Sequence, residues 1–160
     1  MNTIKINSGI QKMQSESTAE ILKKLMVRCL FLQIKYKIYI WDITGPNFTK
    51  LHTLFQNQYT EMELSIDEIA SRIRTLGFFT IDSFNELIKS PYKEVLREDL
   101  KEQEMLSDLL IDHASIIKLL RANSVTSFID KVTEDFLSRL MKQHEKMTWI
   151  IESHILNLNK

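Results

Sequence analysis

The chain has 160 residues, of which 44% are hydrophobic and 26% are charged. This composition is typical of one packed domain, and it excludes a disordered chain, which lacks the apolar surface that offsets chain entropy. The 21 basic and 21 acidic residues leave no formal net charge, so a globally basic nucleic-acid binder is not favoured. Only 3 glycines and 2 prolines are present, too few for a sandwich or barrel with many tight turns.

The sequence gives several indications of the compartment. The single cysteine, Cys29, permits no internal disulfide and suits a reducing environment. Residues 1–17 lack the apolar core of a signal peptide, and we expect them to form a flexible tail before a domain at 18–158. The most apolar stretch, residues 25–41, carries too many polar and charged side chains to span a bilayer. A soluble cytoplasmic protein without membrane contact is therefore expected.

Helical periodicity begins near Thr18 and continues to Ile43, with a possible cap at Ser17 or Thr18. β-Branched residues near Ile43 would also suit a strand, but the length of the pattern favours a helix. The run Thr44-Gly45-Pro46-Asn47 breaks this pattern, because glycine can follow a helix end and proline can open the next helix. A second helix is predicted from about Pro46 to Leu76, where Gly77 ends it.

Two more long helices are predicted, at about 92–122 and 125–158, with a break at Asn123-Ser124. Residues 78–91 connect the second and third helices, and Asp82 or Ser83 can cap a short helix through Ile88. A connection of this length can run along a bundle as a crossover. The predicted fold is therefore all-α, a ferritin-like four-helix bundle with a short helix in the long crossover between the second and third helices.

Several segments, in order and spacing, resemble the Dps family of mini-ferritins, named as DNA-binding proteins from starved cells. They are Ile40–Phe48 (IWDITGPNF), Leu51-His52, Ile66–Ile73 (IDEIASRI), Leu76-Gly77, and His144–Lys146 followed by Trp149. The resemblance extends from about Thr18 to Leu156. It implies a cage of twelve subunits that oxidises iron with hydrogen peroxide, stores it inside and protects the cell from oxidative stress.

The family's metal site lies at a two-fold interface, where one subunit supplies two histidines and an aspartate and its mate supplies an aspartate and a glutamate. Here Ile40 stands at the first histidine position, His52 at the second and Gln56 at the aspartate position. The mate's aspartate matches Asp67, and its glutamate position holds Ser71. Three of the five expected ligands are replaced, so the resemblance implies weakened iron binding and ferroxidase activity.

Helix geometry alone, independently of the resemblance to the family, places four of these positions on one side of the second helix. At about 100° per residue, positions 52, 56, 67 and 71 fall within an arc of roughly 100° on the second helix. Such a stripe, placed against a symmetry mate, could surround an ion, and iron accepts oxygen and imidazole ligands. Glu63 lies near the same face and is an auxiliary candidate with Gln56, although a solvated helical charge explains Glu63 more simply. For His52 and Asp67 a buried interface pair is an equal alternative to metal ligation.

Two further groups gain a role only from the resemblance. Asp130, Glu134 and Asp135 match a region that lines three-fold pores in the family, where copies of an acidic position would attract cations. Acidic residues at a helix start also complement the helix dipole, so both interpretations stay open. Trp41 stands beside the family's metal site and would quench stray radicals there, whereas packing is the commoner role for a tryptophan. The remaining histidines, among them His113 and His144, are interpreted as packing residues.

Three functions remain open from the sequence. The first is an iron-sequestering cage with weakened oxidation chemistry, in which iron is the one inorganic group expected and no organic cofactor motif is visible. The second is a non-catalytic shell subunit that co-assembles with an active relative. The third is a protective coat on DNA, which is weakly supported because the N-terminal segment has only Lys5 and Lys12, offset by Glu16.

Overall fold

The computed structural model describes residues 9–10, 12–81, 99–123 and 129–158. Within these ranges the chain forms four α-helices and no strand: α1 (Lys12–Asp42), α2 (Phe48–Thr75), α3 (Glu102–Asn123) and α4 (Lys131–Leu158). Helix α1 packs along α2 and α3 packs along α4, and these two hairpins join mainly through α1 and α3. The predicted all-α four-helix bundle is confirmed, and its predicted crossover helix at 82–88 lies outside the described residues.

The apolar stripes of the four helices meet in one continuous core. Its largest fully buried side chains are Tyr36, Phe55, Leu22, Leu25, Leu32, Ile43, Leu51, Met62, Ile69, Ile73, Leu106 and Leu109. Burying a side chain of this size contributes about 1.5–3 kcal/mol. Cys29 is also buried, as predicted, and burial raises the pKa of its thiol to about 12 despite the nearby charge of Arg28. Among the described helices, none has the length and apolar character of a membrane span.

The helix starts differ from the predicted ones. Helix α1 begins at Lys12 instead of Thr18, because the hydroxyl groups of Ser15, Ser17 and Thr18 bond to carbonyls three or four residues back instead of capping a start. Residues 12–17 are thus helical, while residues 1–8 and 11 of the predicted flexible tail lie outside the described residues.

The third and fourth predicted helices are interrupted at residues 99–101 and 129–130, which are not helical, and their predicted starts at about 92 and 125 lie outside the described residues. Asp99 has a φ of 58°, which no right-handed helix accepts, and α3 starts after it at Glu102. The Glu104 carboxylate accepts a hydrogen bond from the Lys101 N–H at 2.9 Å, as one half of a capping box. Asp130 caps α4 with the opposite arrangement: as the residue before the helix, its carboxylate accepts a hydrogen bond from the Thr133 N–H at 3.2 Å.

Two glycines shape the ends of the first hairpin. Gly77 has a φ of 93° and closes α2, with Gly77 N–H bonded to the Arg74 carbonyl and Phe78 N–H bonded to the Ile73 carbonyl. Gly45, with a φ of 116°, turns the chain from α1 into α2. There the Glu102 carboxylate accepts hydrogen bonds from the Asn47 N–H at 2.8 Å and from its Nδ2 at 3.0 Å. The start of α3 therefore holds the turn between α1 and α2.

Candidate metal site

The predicted metal positions of α2 share one outward face of the helix. The buried residues of α2 point to the opposite side, where Phe55, Met62 and Ile69 enter the core. His52 and Gln56 are half-buried, whereas Asp67 and Ser71 are exposed. The stripe predicted from the sequence thus faces away from its own bundle, which leaves it open to another subunit.

The stripe is too long for one chain to form a site from both of its ends. His52 and Asp67 are fifteen residues apart, which is about 22 Å along a helix. In the described part of the chain, no group of three or more His, Cys, Asp or Glu side chains is placed to hold a metal ion. Imidazole and carboxylate suit iron chemically, but these two ligands can meet only across two chains.

His52 and Trp41 each contact a neighbouring side chain of the same chain. The ring of His52 packs against Phe48, with 5.3 Å between ring centroids. Trp41 is 68% exposed, and the ammonium group of Lys37 lies 5.8 Å from its ring centroid. Ile40, in contrast, is buried in the core. The position that would carry the family's first histidine is therefore used here for packing.

A groove of about 820 Å³ between α2 and α4 joins two groups of residues that sequence reasoning kept apart. Asp67 and Ser71 line it from α2, and Asp135 lines it from α4. The groove also contains Arg139, which forms an ion pair of 2.8 Å with Glu68 of α2. The candidate metal carboxylate and one candidate pore carboxylate therefore share one mixed-charge surface.

The acidic residues at the start of α4 already have cationic neighbours. Asp130 forms an ion pair of 2.7 Å with Arg72 of α2, in addition to its capping bond. Partial burial alone would raise the pKa of Asp130, but hydrogen bonds from Thr133 and the charge of Arg72 together lower it. Glu134 and Asp135 each lie 3.3 Å from the ammonium group of Lys131. Helix capping and pairing thus account for these contacts within one chain, and the pore role stays a prediction.

The centre of the bundle contains a polar network that no motif indicated. Tyr36 of α1, Gln58 of α2, His113 of α3 and His144 of α4 are each no more than 2% exposed. The Tyr36 hydroxyl contacts the Gln58 amide oxygen and lies 2.6 Å from His113 Nε2. His113 Nδ1 lies 2.8 Å from His144 Nδ1, and Gln58 Nε2 donates to the Met147 carbonyl at 3.3 Å. We name these four side chains the core ring.

Burial determines the charge state of the core ring. It lowers the pKa of His144 to about 4, and together with the neighbouring His144 it lowers the pKa of His113 well below its usual value. Burial also raises the pKa of the Tyr36 hydroxyl, assisted by the charges of Asp112 and Glu61. The core ring is therefore neutral near pH 7, and its histidines are packing residues, as predicted.

A second buried cluster lies between α1 and α3. The ammonium group of Lys35 is 2.9 Å from an Asp108 oxygen and 2.5 Å from an Asp112 oxygen, and all three side chains are buried. The Tyr39 hydroxyl donates a further hydrogen bond to Asp108. The only sequence signal was a lysine inside the apolar run of the first helix, with two aspartates four residues apart on the third. The pairing depends on which helices are neighbours, and periodicity does not give that.

The bundle and its outward α2 stripe define the class: four long helices in two hairpins, with a ferritin-like order. The family model described as a ferritin-like domain matches residues 19–160, so the chain belongs to the ferritin-like family. Within it, the Dps proteins are the relatives that match in both sequence and structure, and the chain is a Dps-family member.

Individual relatives support this placement. An uncharacterised low temperature-induced protein of Nostoc is 34% identical over 94% of this chain and 87% of its own length. A DNA protection during starvation protein of Helicobacter pylori is 26% identical over 86% of this chain and 98% of its own length. The structure is similar to that of Mycobacterium smegmatis Dps, with a TM-score of 0.86, 25% identity and coverage of 96% of this chain and 94% of that one. Dps from Thermosynechococcus elongatus gives a TM-score of 0.82 at 26% identity, covering 89% and 92% of the two chains.

Proposed function

We propose that the chain is a subunit of a cytoplasmic mini-ferritin shell of twelve copies, formed by the 18–158 domain, that takes up and sequesters iron and so limits oxidative damage. The observation that carries the proposal is the α2 stripe. It faces away from the core, and it keeps an imidazole at His52 and a carboxylate at Asp67. A two-fold mate in antiparallel orientation would bring the His52 of one copy towards the Asp67 of the other.

The proposed site is weaker than the five-ligand site of the family. Ile40 has no lone pair to offer and is buried, and the Ser71 hydroxyl is a neutral ligand. Gln56 offers only an amide oxygen, and Glu63 is an exposed carboxylate on the same face. Fe(II) as substrate would therefore meet one imidazole and one or two carboxylates. Binding with slow oxidation by hydrogen peroxide is the expected behaviour.

The test is an anaerobic Fe(II) titration of the purified assembly, followed by hydrogen peroxide and absorbance monitoring of Fe(III). We expect saturable binding, and we expect Asp67→Asn to lower both the bound iron and the oxidation rate at least tenfold, because the change removes the anionic ligand without changing its shape. Glu152→Gln, an exposed carboxylate near the end of α4, serves as the matched control and should leave both values unchanged.

Equal iron binding in the assembly and in Asp67→Asn would remove the proposed site. A parallel titration of Glu63→Gln shows whether that carboxylate is an auxiliary ligand. Oxidation no faster than in buffer, for the unchanged chain, would favour the second candidate instead.

That second candidate is a non-catalytic shell subunit that co-assembles with an active Dps relative. It is favoured by Ile40, because a ligand position used for core packing cannot regain its role by a side-chain movement. Refolding a mixture with an active relative, followed by native mass spectrometry, would show hybrid cages if the candidate holds. Strict self-sorting would exclude it. A DNA coat is not proposed, since the chain has no net charge and Lys12 pairs with Glu16 at 3.8 Å.

A further inference from the structure

The hydrogen bonds of the core ring can run in only one direction. Gln58 Nε2 donates to the Met147 carbonyl, which fixes the amide so that its oxygen faces the Tyr36 hydroxyl. Because an amide oxygen cannot donate, the single hydroxyl proton of Tyr36 must point to Gln58. The phenol oxygen then acts as an acceptor towards His113.

The direction of these bonds assigns a tautomer to each histidine. His113 must carry its proton on Nε2 to donate to Tyr36, so its Nδ1 holds a lone pair. His144 must then carry a proton on Nδ1 and donate it to His113. The chain of donors starts on α4, passes through α3, α1 and α2, and returns to the α4 backbone at Met147. Every bond in it joins neutral groups.

The core ring has no place for an additional proton on His113. A proton on Nδ1 of His113 would face the Nδ1–H of His144 across 2.8 Å, and one of the two rings would have to turn away. A proton on Nε2 of His144 would keep the bond but would leave an imidazolium in a buried apolar site, which is costly without a counter-ion.

Among the described residues, the charged groups near the core ring are engaged elsewhere, and no carboxylate raises the pKa of either histidine. On α1, Lys35 is a cation and is held by carboxylates of α3. On α3, Asp112 is thereby paired at 2.5 Å, and on α4 Glu145 pairs with Arg121 at 2.7 Å. On α2, the half-buried Glu61 acts on Tyr36 through its charge. The hydrogen bonds described for the two histidines come from Tyr36 and from each other.

We propose that the core ring is an acid-sensitive lock, which holds the four helices together while both histidines are neutral and releases them when either one is protonated. The lock gives the bundle a conformational response to acidification that does not depend on the metal stripe, since none of its members lies on that face of α2. It requires no metal, cofactor or partner.

The sign of the pH dependence follows from the lowered pKa values. In the unfolded chain each histidine titrates near pH 6.5, whereas in the folded chain His144 titrates at about 4 and His113 well below 6.5. Between these values the unfolded chain binds more protons, so stability is fully present above pH 6.5 and falls as the pH decreases. For one such histidine, the ratio of folded to unfolded chain should fall about 20-fold between pH 7 and pH 5.

The test is urea unfolding of the full-length assembly at pH 7 and at pH 5, for the unchanged chain and for His144→Gln. The glutamine can still donate an N–H to His113 but does not titrate. We therefore expect the ratio of folded to unfolded chain to fall about 20-fold less between pH 7 and pH 5 for His144→Gln than for the unchanged chain. Met147→Leu is the matched control: it disturbs the core but keeps the backbone carbonyl, and it should keep the full pH response. An equal pH response in His144→Gln and the unchanged chain would overturn the proposal.

A second measurement keeps the proposal testable if His144→Gln does not fold. Hydrogen–deuterium exchange at histidine Cε1, read by mass spectrometry on the unchanged assembly, reports the pKa of each histidine. A midpoint of the exchange rate well below pH 6.5 for His113 and near pH 4 for His144 supports the lock. A pKa near 6.5 for both histidines in the folded protein would show that protonation does not lower the stability of the fold, and this result would overturn the proposed lock.

Discussion

Lys35 brings a positive charge into the contact between α1 and α3, where it is 2% exposed. Its ammonium group lies between two carboxylates, so the cluster holds one positive and two negative charges, with Tyr39 donating a hydrogen bond. A buried charge that loses its partner is far more costly than a surface charge that does so. The lysine therefore offsets negative charge on both carboxylates in a site where water is excluded.

Lys35→Met should lower the free energy of unfolding by about 3–5 kcal/mol, because the variant removes the buried ammonium group that lies between the carboxylates of Asp108 and Asp112. Urea unfolding at pH 7 measures the change. The exposed lysine of α3, Lys118, provides the matched control, and Lys118→Met should leave the midpoint within error. A Lys35→Met chain as stable as the unchanged one would mean that the pair contributes nothing net.

Sequence reasoning at this scale found which residues are buried but not what they contact. The helical spacing of Tyr36 and Cys29 predicted their burial, and the structure confirms it. The contact of Tyr36 with His113 joins residues 77 positions apart, and it exists only because α1 and α3 are neighbours. The periodicity of the sequence predicts which face of each helix points inward. Which helices are adjacent, and how each one is rotated about its own axis, depends on packing.

At the scale of elements, the turn between α1 and α2 is the most constrained feature. A Cβ atom added to Gly45 would lie 2.8 Å from an oxygen of Glu102, the carboxylate that binds Asn47. The other glycine of the hairpin, Gly77, also has a positive φ, but nothing lies within 4 Å of the position of its Cβ. Comparing alanine substitutions at the two glycines therefore separates the energetic cost of backbone strain from that of steric contact.

We expect Gly77→Ala to cost about 1 kcal/mol, from the left-handed backbone alone. Gly45→Ala should cost about 1–3 kcal/mol more, because Glu102 must move and its hydrogen bonds to Asn47 are lost. Chemical denaturation of both variants measures the difference. Equal costs would show that the carboxylate relocates freely.

The sequence predicted which long helices form, but it predicted less well the residue at which each helix begins. Gly45 and Gly77 were correctly predicted as boundaries, because a positive φ is a local property that glycine accepts. The predicted starts at Tyr92 and Val125 lie outside the described residues, but the helices found in the structure begin only at Glu102 and Lys131. These starts depend on the left-handed conformation of Asp99 and on Asp130, which caps its helix and binds Arg72 of another helix. The start of α1 was predicted too late, because serine and threonine fit both a cap and a helix interior.

At the scale of the whole molecule, the single chain exposes large apolar side chains on both sides of the turn that joins α1 to α2. Trp41 is 68% exposed and Phe48 is 46% exposed. Large apolar side chains exposed near one turn suit a surface that a partner covers. A second copy at the proposed two-fold interface would cover them and, at the same time, bring the metal positions together.

Trp41→Glu should therefore reduce the assembly to smaller species without unfolding the chain, since the tryptophan packs little within its own bundle. Sedimentation velocity detects the change, because the proposed shell of twelve copies would have twelve times the 18.9 kDa mass of the chain. Ile111→Glu, which alters a residue of α3 that is 65% exposed, is the control and should leave the mass unchanged. An intact shell for Trp41→Glu would place the interface elsewhere.

The single direction in which the hydrogen bonds of the core ring can run also has a consequence for how such a sequence can diverge. Three members each donate to one neighbour and accept from another, and the fourth, His144, donates to His113. Replacing one member by an apolar residue therefore leaves at least one buried partner unsatisfied. Replacing all four together leaves none. Divergence at positions 36, 58, 113 and 144 is therefore coupled: descendants should keep the whole set or exchange it as a whole for apolar residues, and chains with a partial set should be rare because each single step passes through a less stable intermediate.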